Sequence, residues 1–333
     1  MVVLYHAPAK KQHGIFGPPA LLFGEKSDTL GSGDCIMKKN TLRGSLCLLL
    51  GTVIWGFSFI AQSVGMETLG PFAFQAIRCL LAVVFLLILI GLGDRKKQET
   101  FLKRWADPAL WKAGLICGSA LFVAASLQQL GLQYTDAGKA GFITAMYIVL
   151  VPMLGLFLGR RPSRAAVFSV ALAVVGLYLL SCMGASGINK GDLLLMGCAL
   201  TFSVQITCID RLAGRLDGLR LNCVQCLVVA VLSLPFASRE SVTMQAIAVC
   251  WLPLGYAGIL TMGVAYSLQI IGQKDLEPTT ASLIMSLESV FAALGGWLIL
   301  HERMTNWELL GCTLVFAAVL LSQLPARKKQ KQA

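Results

Sequence analysis

Two ionisable side chains stand in runs that are otherwise apolar: Arg78, about seven residues into 71–92, and Glu288, about ten residues into 279–300. An arginine at the centre of a lipid-spanning helix costs roughly 2.5–3.5 kcal/mol on insertion scales. Arg78 therefore reads in one of two ways. It snorkels outward, or it lines a cavity where its planar fork suits a carboxylate or phosphate. Glu288 reads either as an acid hydrogen-bonded to a neighbouring Ser or Thr, or as a carboxyl that pairs with Arg78 or alternates between a proton and a substrate. Tyr147 stands 141 residues before Glu288 in a similar run. Trp55, Tyr256 and Tyr266 are rings that can stack on an organic ligand, and Gln128 is one of about ten further polar residues inside the apolar runs. The candidate binding set is Trp55, Arg78, Gln128, Tyr147, Tyr266 and Glu288. For each, ordinary packing or an interhelical hydrogen bond is the competing reading.

Other chemistries lack their residues. Ala137-Gly138-Lys139-Ala140 has neither the leading Gly nor the Ser/Thr of a P-loop. Only His6, His13 and His301 are available, so no zinc site or Ser-His system is expected. The 11 cysteines are an odd number and sit mostly in apolar runs; Cys223 and Cys226 have the i, i+3 spacing of one helix face rather than a metal or redox pair. Asp210 and Asp217, among Arg211 and Arg215, read as a solvated charge cluster. No enzymatic activity, metal or cofactor is expected; a midplane carboxyl leaves coupling to a proton gradient open.

What positions these residues is a set of membrane helices. Hydrophobic residues make up 56% of the 333, with 33 Gly besides, only 14% charged residues and a mean hydropathy of +0.73. A soluble fold holds about 45–50% apolar residues with Gly included and about 25% charge. About 20 apolar residues span the hydrocarbon core. Ten such runs can be marked: 44–64, 71–92, 112–133, 138–159, 164–183, 191–210, 219–237, 246–271, 279–300 and 307–325. With the N-terminus inside, 23 of the 28 Lys and Arg fall on the inner side, four on the outer side, and Arg78 alone lies within a span. The +11 net charge thus reads as topology, with both termini cytoplasmic, rather than as a nucleic-acid surface. Basic stretches beside the spans, Arg95 to Arg104 and Arg327 to Lys331, suit anionic headgroups at the inner surface. Gly114–Gly118 and Gly155–Gly159 are GxxxG pairs, which mark close helix approach and leave a homodimer open.

The chain also repeats itself. Residues 126–182 align on 267–323 without a gap: Ser126-Leu127-Gln128 meets Ser267-Leu268-Gln269, Gly131 meets Gly272, and Gly155 meets Gly296. Arg78-Cys79-Leu80 meets Gln225-Cys226-Leu227 at a slightly different offset. Two halves of five spans put the second upside down relative to the first, an architecture of transporters that rock about a midplane site. The expected fold class is all-α: a polytopic membrane protein of ten transmembrane helices in two inverted five-helix repeats. Its divisions are 1–36 as a disordered extension (or the product of an upstream start codon), 37–183 and 184–326 as the two repeats, and 327–333 as a basic tail. The cavity is expected between spans 1–4 and 6–9.

Over about 37–326 the sequence resembles the EamA-type family of the drug/metabolite transporter superfamily. The carriers are Trp55-Gly56, Pro71 with Arg78, Leu287-Glu288, and the run from Leu300 through His301-Glu302-Arg303 to Gly311. The first half has Arg160-Arg161-Pro162 where the second has His301-Glu302-Arg303, so the signature acid occurs once. The resemblance implies a secondary transporter of the cell membrane (a bacterial inner membrane) that exports or exchanges a small organic metabolite by alternating access. An antiporter of phosphorylated or nucleotide-linked sugars is the alternative within transport; a membrane enzyme or sensor is the alternative outside it.

Overall fold

A backbone crosses hydrocarbon as a helix because only then are its N–H and C=O groups satisfied within the segment. In the computed structural model residues 29–97, 104–135, 137–181, 189–299 and 304–323 are described, and every regular element among them is helical. In chain order these are α1 (Thr29–Met66), α2 (Pro71–Lys97), α3 (Pro108–Leu132), α4 (Ala137–Ala145), α5 (Tyr147–Phe157), α6 (Arg164–Ser181), α7 (Lys190–Leu212), α8 (Gly218–Ala237), α9 (Met244–Val249) and α10 (Trp251–Gly255). A π-helical segment, Tyr256–Ala265, then leads into α11 (Tyr266–Gln273), α12 (Pro278–Met285), α13 (Glu288–Ile299) and α14 (Asn306–Ser322). Contacts divide the chain between Lys39 and Asn40, and all that follows concerns the unit from Asn40 onward. The expectation for 1–36 falls mainly on residues 1–28, outside the described set; residues 29–36 are helical. The tail 327–333 and the run Leu300 to Arg303 are also outside it.

Seven helical stretches are long and apolar enough to cross a membrane, and Arg164–Leu180 and Asn306–Ser322 are shorter apolar helices. The expected run 279–300 is divided between α12 and α13. The protein is an all-helical, multi-pass membrane protein. Its outer face carries exposed Leu, Phe and Val, among them Phe157 and Leu320, as a lipid-facing surface requires.

The helix ends are fixed by local chemistry. Asp107 caps α3 ahead of Pro108, while Asn189 with Asp192 and Thr305 with Glu308 form capping boxes on α7 and α14. Glu240, from the loop after α8, places its carboxylate on the N-terminus of α2, accepting from the backbone N–H of Phe72 at 3.2 Å and Ala73 at 2.7 Å. Gly159, at φ 80°, closes α5 in the left-handed region, so the second GxxxG pair is a helix terminator. Gly114 and Gly118 instead face Val224 and Val228 of α8, and their close approach is used within the chain.

α2 continues to Lys97, past the end of the run 71–92 marked in the sequence, because Asp94 is buried against an arginine. Arg220 of α8 donates through Nη2 to both Asp94 carboxylate oxygens at 2.6 Å and through Nη1 to Asp217 Oδ2 at 2.8 Å. The solvated cluster expected around Asp210 and Asp217 is therefore not found. Asp217 caps α8, and Asp210 forms an ion pair with Arg160 at 2.7 Å.

Candidate functional site

Two of the buried polar residues, Tyr147 and Glu288, owe their position to helix breaks. α4 ends at Ala145 and α5 starts at Tyr147; α12 ends at Met285 and α13 starts at Glu288. At each break N–H groups reach back only three residues, and one such bond matches between the two: Met146 to Ile143 O at 3.2 Å, and Leu287 to Ile284 O at 3.1 Å. These bonds are themselves 141 residues apart, so one tightened turn occurs twice. Tyr147 and Glu288 each begin the second piece of a broken helix, and they meet: Tyr147 Oη donates to Glu288 Oε1 at 3.0 Å. Beside them Ser289 Oγ donates to Gly141 O at 3.0 Å, tying α13 to α4.

Arg78 lies on α2 and is only 2% exposed, so it does not snorkel outward. Its Nη1 donates to Gln62 Oε1 at 2.6 Å, its guanidinium stands 5.7 Å from the Phe74 ring centre, and its Nε has no hydrogen-bond partner. No carboxylate pairs with it among the described residues; Glu288 is engaged by Tyr147 instead. A buried cation without a counter-charge is a costly arrangement that an anion relieves.

One cavity of about 40 Å³ is bordered by all six residues singled out from the sequence: Trp55, Arg78, Gln128, Tyr147, Tyr266 and Glu288. A single water needs about 10–15 Å³ on such a measure, so the space holds a few waters. Trp55 and Tyr266 meet edge to face at 5.1 Å, and Trp55 Nε1 is a buried donor without a partner. Gln269, on the same wall, donates to Gln205 Oε1 at 3.2 Å, and Gln205 donates on to Gln225 Oε1 at 3.4 Å. Gln269 Oε1 is left without a partner. Tyr256 is not part of the cavity, since its hydroxyl donates to Ile54 O at 2.9 Å. Sequence reasoning passed over Phe59, Phe202, Ile206, Met262 and Met285, apolar residues with no signal to mark them, and Thr261, which sits in an unusual turn. Every segment of the expected spans 1–4 and 6–9 contributes except 219–237.

About one turn further along α5 and α7 lies a larger vestibule of about 600 Å³, reached by Val151, Arg160, Thr207, Asp210, Lys274 and Glu277. The Arg160–Asp210 ion pair crosses it from the end of α5 to the end of α7. Lys274 donates to Leu216 O, and partial burial holds its amine below the ordinary lysine range. At the opposite ends of α4 and α7, Lys139 and Asp192 pair at 2.7 Å, with Thr135 donating to Asp192 at 3.2 Å. No group of three or more His, Cys, Asp or Glu suited to a metal exists among the described residues.

A set of membrane helices broken beside a buried, partly polar cavity is the form of a membrane carrier. The EamA-like transporter family model matches this chain twice, over residues 42–182 and 189–324, and the chain belongs to that family. An uncharacterized transporter of Archaeoglobus fulgidus is 33% identical over 284 residues, covering 85% of this chain and 86% of that protein. The threonine/homoserine exporter RhtA of Escherichia coli is 32% identical over 189 residues, 54% of this chain and 60% of the exporter. A crystal structure of another protein shares the fold, with a TM-score of 0.69 at 20% identity over 86% of this chain and 99% of that one. The protein is a small-metabolite transporter of the EamA type, not an enzyme.

Proposed function

We propose that this chain exports a small zwitterionic metabolite, an α-amino acid or a close analogue, by alternating access between two inverted halves. The observation that carries the reading is the meeting of Tyr147 with Glu288 in the cavity. Counterparts 141 residues apart touch where an axis relating the halves would run. The double family match supports two halves of five segments each, and an odd number of spans inverts the second. The division of Lys and Arg favours ten spans with both termini cytoplasmic, in a bacterial inner membrane with anionic headgroups against its basic inner loops. On that orientation the vestibule opens to the cytoplasm and the Lys139–Asp192 pair closes the outer side.

The substrate class follows from what the cavity lacks. Arg78 Nε and Trp55 Nε1 are donors without acceptors, which a carboxylate supplies. Gln269 Oε1 and the Glu288 carboxyl, on the same cavity, are acceptors for an ammonium group. The exporter activity in the name of the Escherichia coli relative agrees with this chemistry. A nucleotide-linked sugar would bring more than one phosphate charge to a cavity with a single guanidinium. Glu288 exchanging a proton for the ammonium couples efflux to proton entry, at about 2.3 kcal/mol per proton per 100 mV. The test is flux in proteoliposomes against a panel of amino acids, organic anions and sugar phosphates, with and without a pH gradient. Movement of amino acids, faster with the gradient, supports the reading, and a panel on which no solute moves overturns it.

A further inference from the structure

Between two matched points the eighth apolar segment has one residue more than its counterpart, the third, in a stretch that borders the cavity. Along its later part the two halves align at 141, with Ser126 on Ser267 and Gly131 on Gly272. Along its earlier part the contacts align at 140. A Cβ at Gly118 would meet Gln225 Cα at 3.1 Å, and one at Gly258 would meet Arg78 O at 2.8 Å and Arg78 Cα at 3.4 Å. Gln225 and Arg78 are themselves counterparts, each followed by Cys-Leu. The extra residue therefore enters between Gly258 and Ser267.

The backbone absorbs it in the π-helical segment Tyr256–Ala265, where the Tyr266 N–H bonds Thr261 O five residues back. Asn222 of α8 holds this wide turn, its Nδ2 lying 2.8 Å from Met262 O, 3.1 Å from Gly263 O and 3.0 Å from Ser267 Oγ. In the first half the counterpart, Gln75, bonds Ser126 and Ser233 and touches no backbone carbonyl. In an α-helix faces recur at three and four residues; a wide turn brings residues five apart into line, here Thr261 with Tyr266. The cavity consequently receives Thr261, Met262, Tyr266 and Gln269 from this segment and only Gln128 from its counterpart. Thr261 Oγ1 is buried there without a partner.

Resting on the transport reading above, we propose that this one-residue insertion determines substrate specificity. The wide turn carries the Thr261 hydroxyl and the Met262 thioether into the space for the substrate's side chain, where Thr261 selects a substrate bearing a hydroxyl or amide. Asn222 is the positioning residue. A site built to hydrogen-bond a substrate hydroxyl discriminates strongly against the analogue lacking it.

The test compares wild type, Thr261→Val, Asn222→Ala and a deletion of Leu260, whose side chain is part-exposed on the outer face. The readout is the flux ratio of threonine to valine in proteoliposomes. Wild type should favour threonine, and Thr261→Val, the mildest change, should cut the ratio about tenfold without slowing valine. Asn222→Ala and the deletion should lower it likewise. An unchanged ratio in Thr261→Val overturns the proposal. If wild type moves no solute, the transport reading fails, and Thr261→Cys and Met262→Cys then judge the turn by reaction with a water-soluble thiol reagent, read by peptide mass. Reaction at both positions, lost at one on deleting Leu260, supports the wide turn; no reaction at either overturns it.

Discussion

Arg78 and Glu288 were legible because charge is conspicuous in an apolar run, and the cavity gathers both with the four uncharged residues chosen as rings, as a polar group or by repeat equivalence. Their partners were not legible. Tyr147 takes Glu288 and leaves Arg78 with Gln62, a pairing set by two helix breaks rather than by charge. Removing the guanidinium in Arg78→Ala should lower flux about 10- to 100-fold, the value of a hydrogen bond to a charged group of about 1.5–3 kcal/mol. Arg78→Lys should restore only part, since an ammonium lacks the fork. Initial efflux rates at equal protein in the membrane check both. Glu288→Gln keeps an oxygen for the Tyr147 hydroxyl, so the melting temperature in detergent should barely move. The acceleration by a pH gradient should vanish; its persistence would take Glu288 out of coupling.

The helices themselves followed from run lengths and turn residues, but their interruptions did not. Neither Met146 nor the Ser286-Leu287 step carries the Pro or Gly that marks a break in a sequence. The π-helical turn had no mark in the sequence, and the shift of one residue between repeats appears only through the contacts of Gly118 and Gly258. The run 71–92 was ended short of Asp94 because a charged residue beside a basic stretch looks like a loop until Arg220, 126 residues on, is seen to cover it. Asp94→Asn should destabilise the protein by about 3–5 kcal/mol, the cost of breaking a buried pair, measured as a lower melting temperature. Close approach between helices is as exacting: a Cβ at Gly56 would lie 2.4 Å from Phe291 Cβ and 2.7 Å from Phe291 C. Gly56→Leu should cost about 1–3 kcal/mol or more in the same assay.

At the scale of the molecule, small-residue contacts recur at both ends. Gly131 approaches Gly191 at one end, and their counterparts Gly272 and Gly44 approach one another at the other. The polar contacts at the two ends differ, since at the second the Arg160–Asp210 ion pair crosses an open vestibule. Lys139 and Asp192 pair at the first end, and the 600 Å³ vestibule lies at the second. On the proposed alternating-access reading, matched halves with unmatched closures give two faces to alternate between, and the cavity of about 40 Å³ is nearly shut. The central claim is that one site, built on Arg78, is presented to each side in turn. Trans-stimulation tests it most directly: efflux of labelled threonine from proteoliposomes, with and without unlabelled threonine outside. The account predicts faster efflux with outside substrate, absent in Arg78→Ala. Efflux indifferent to outside substrate, or stimulated equally in Arg78→Ala, would contradict it.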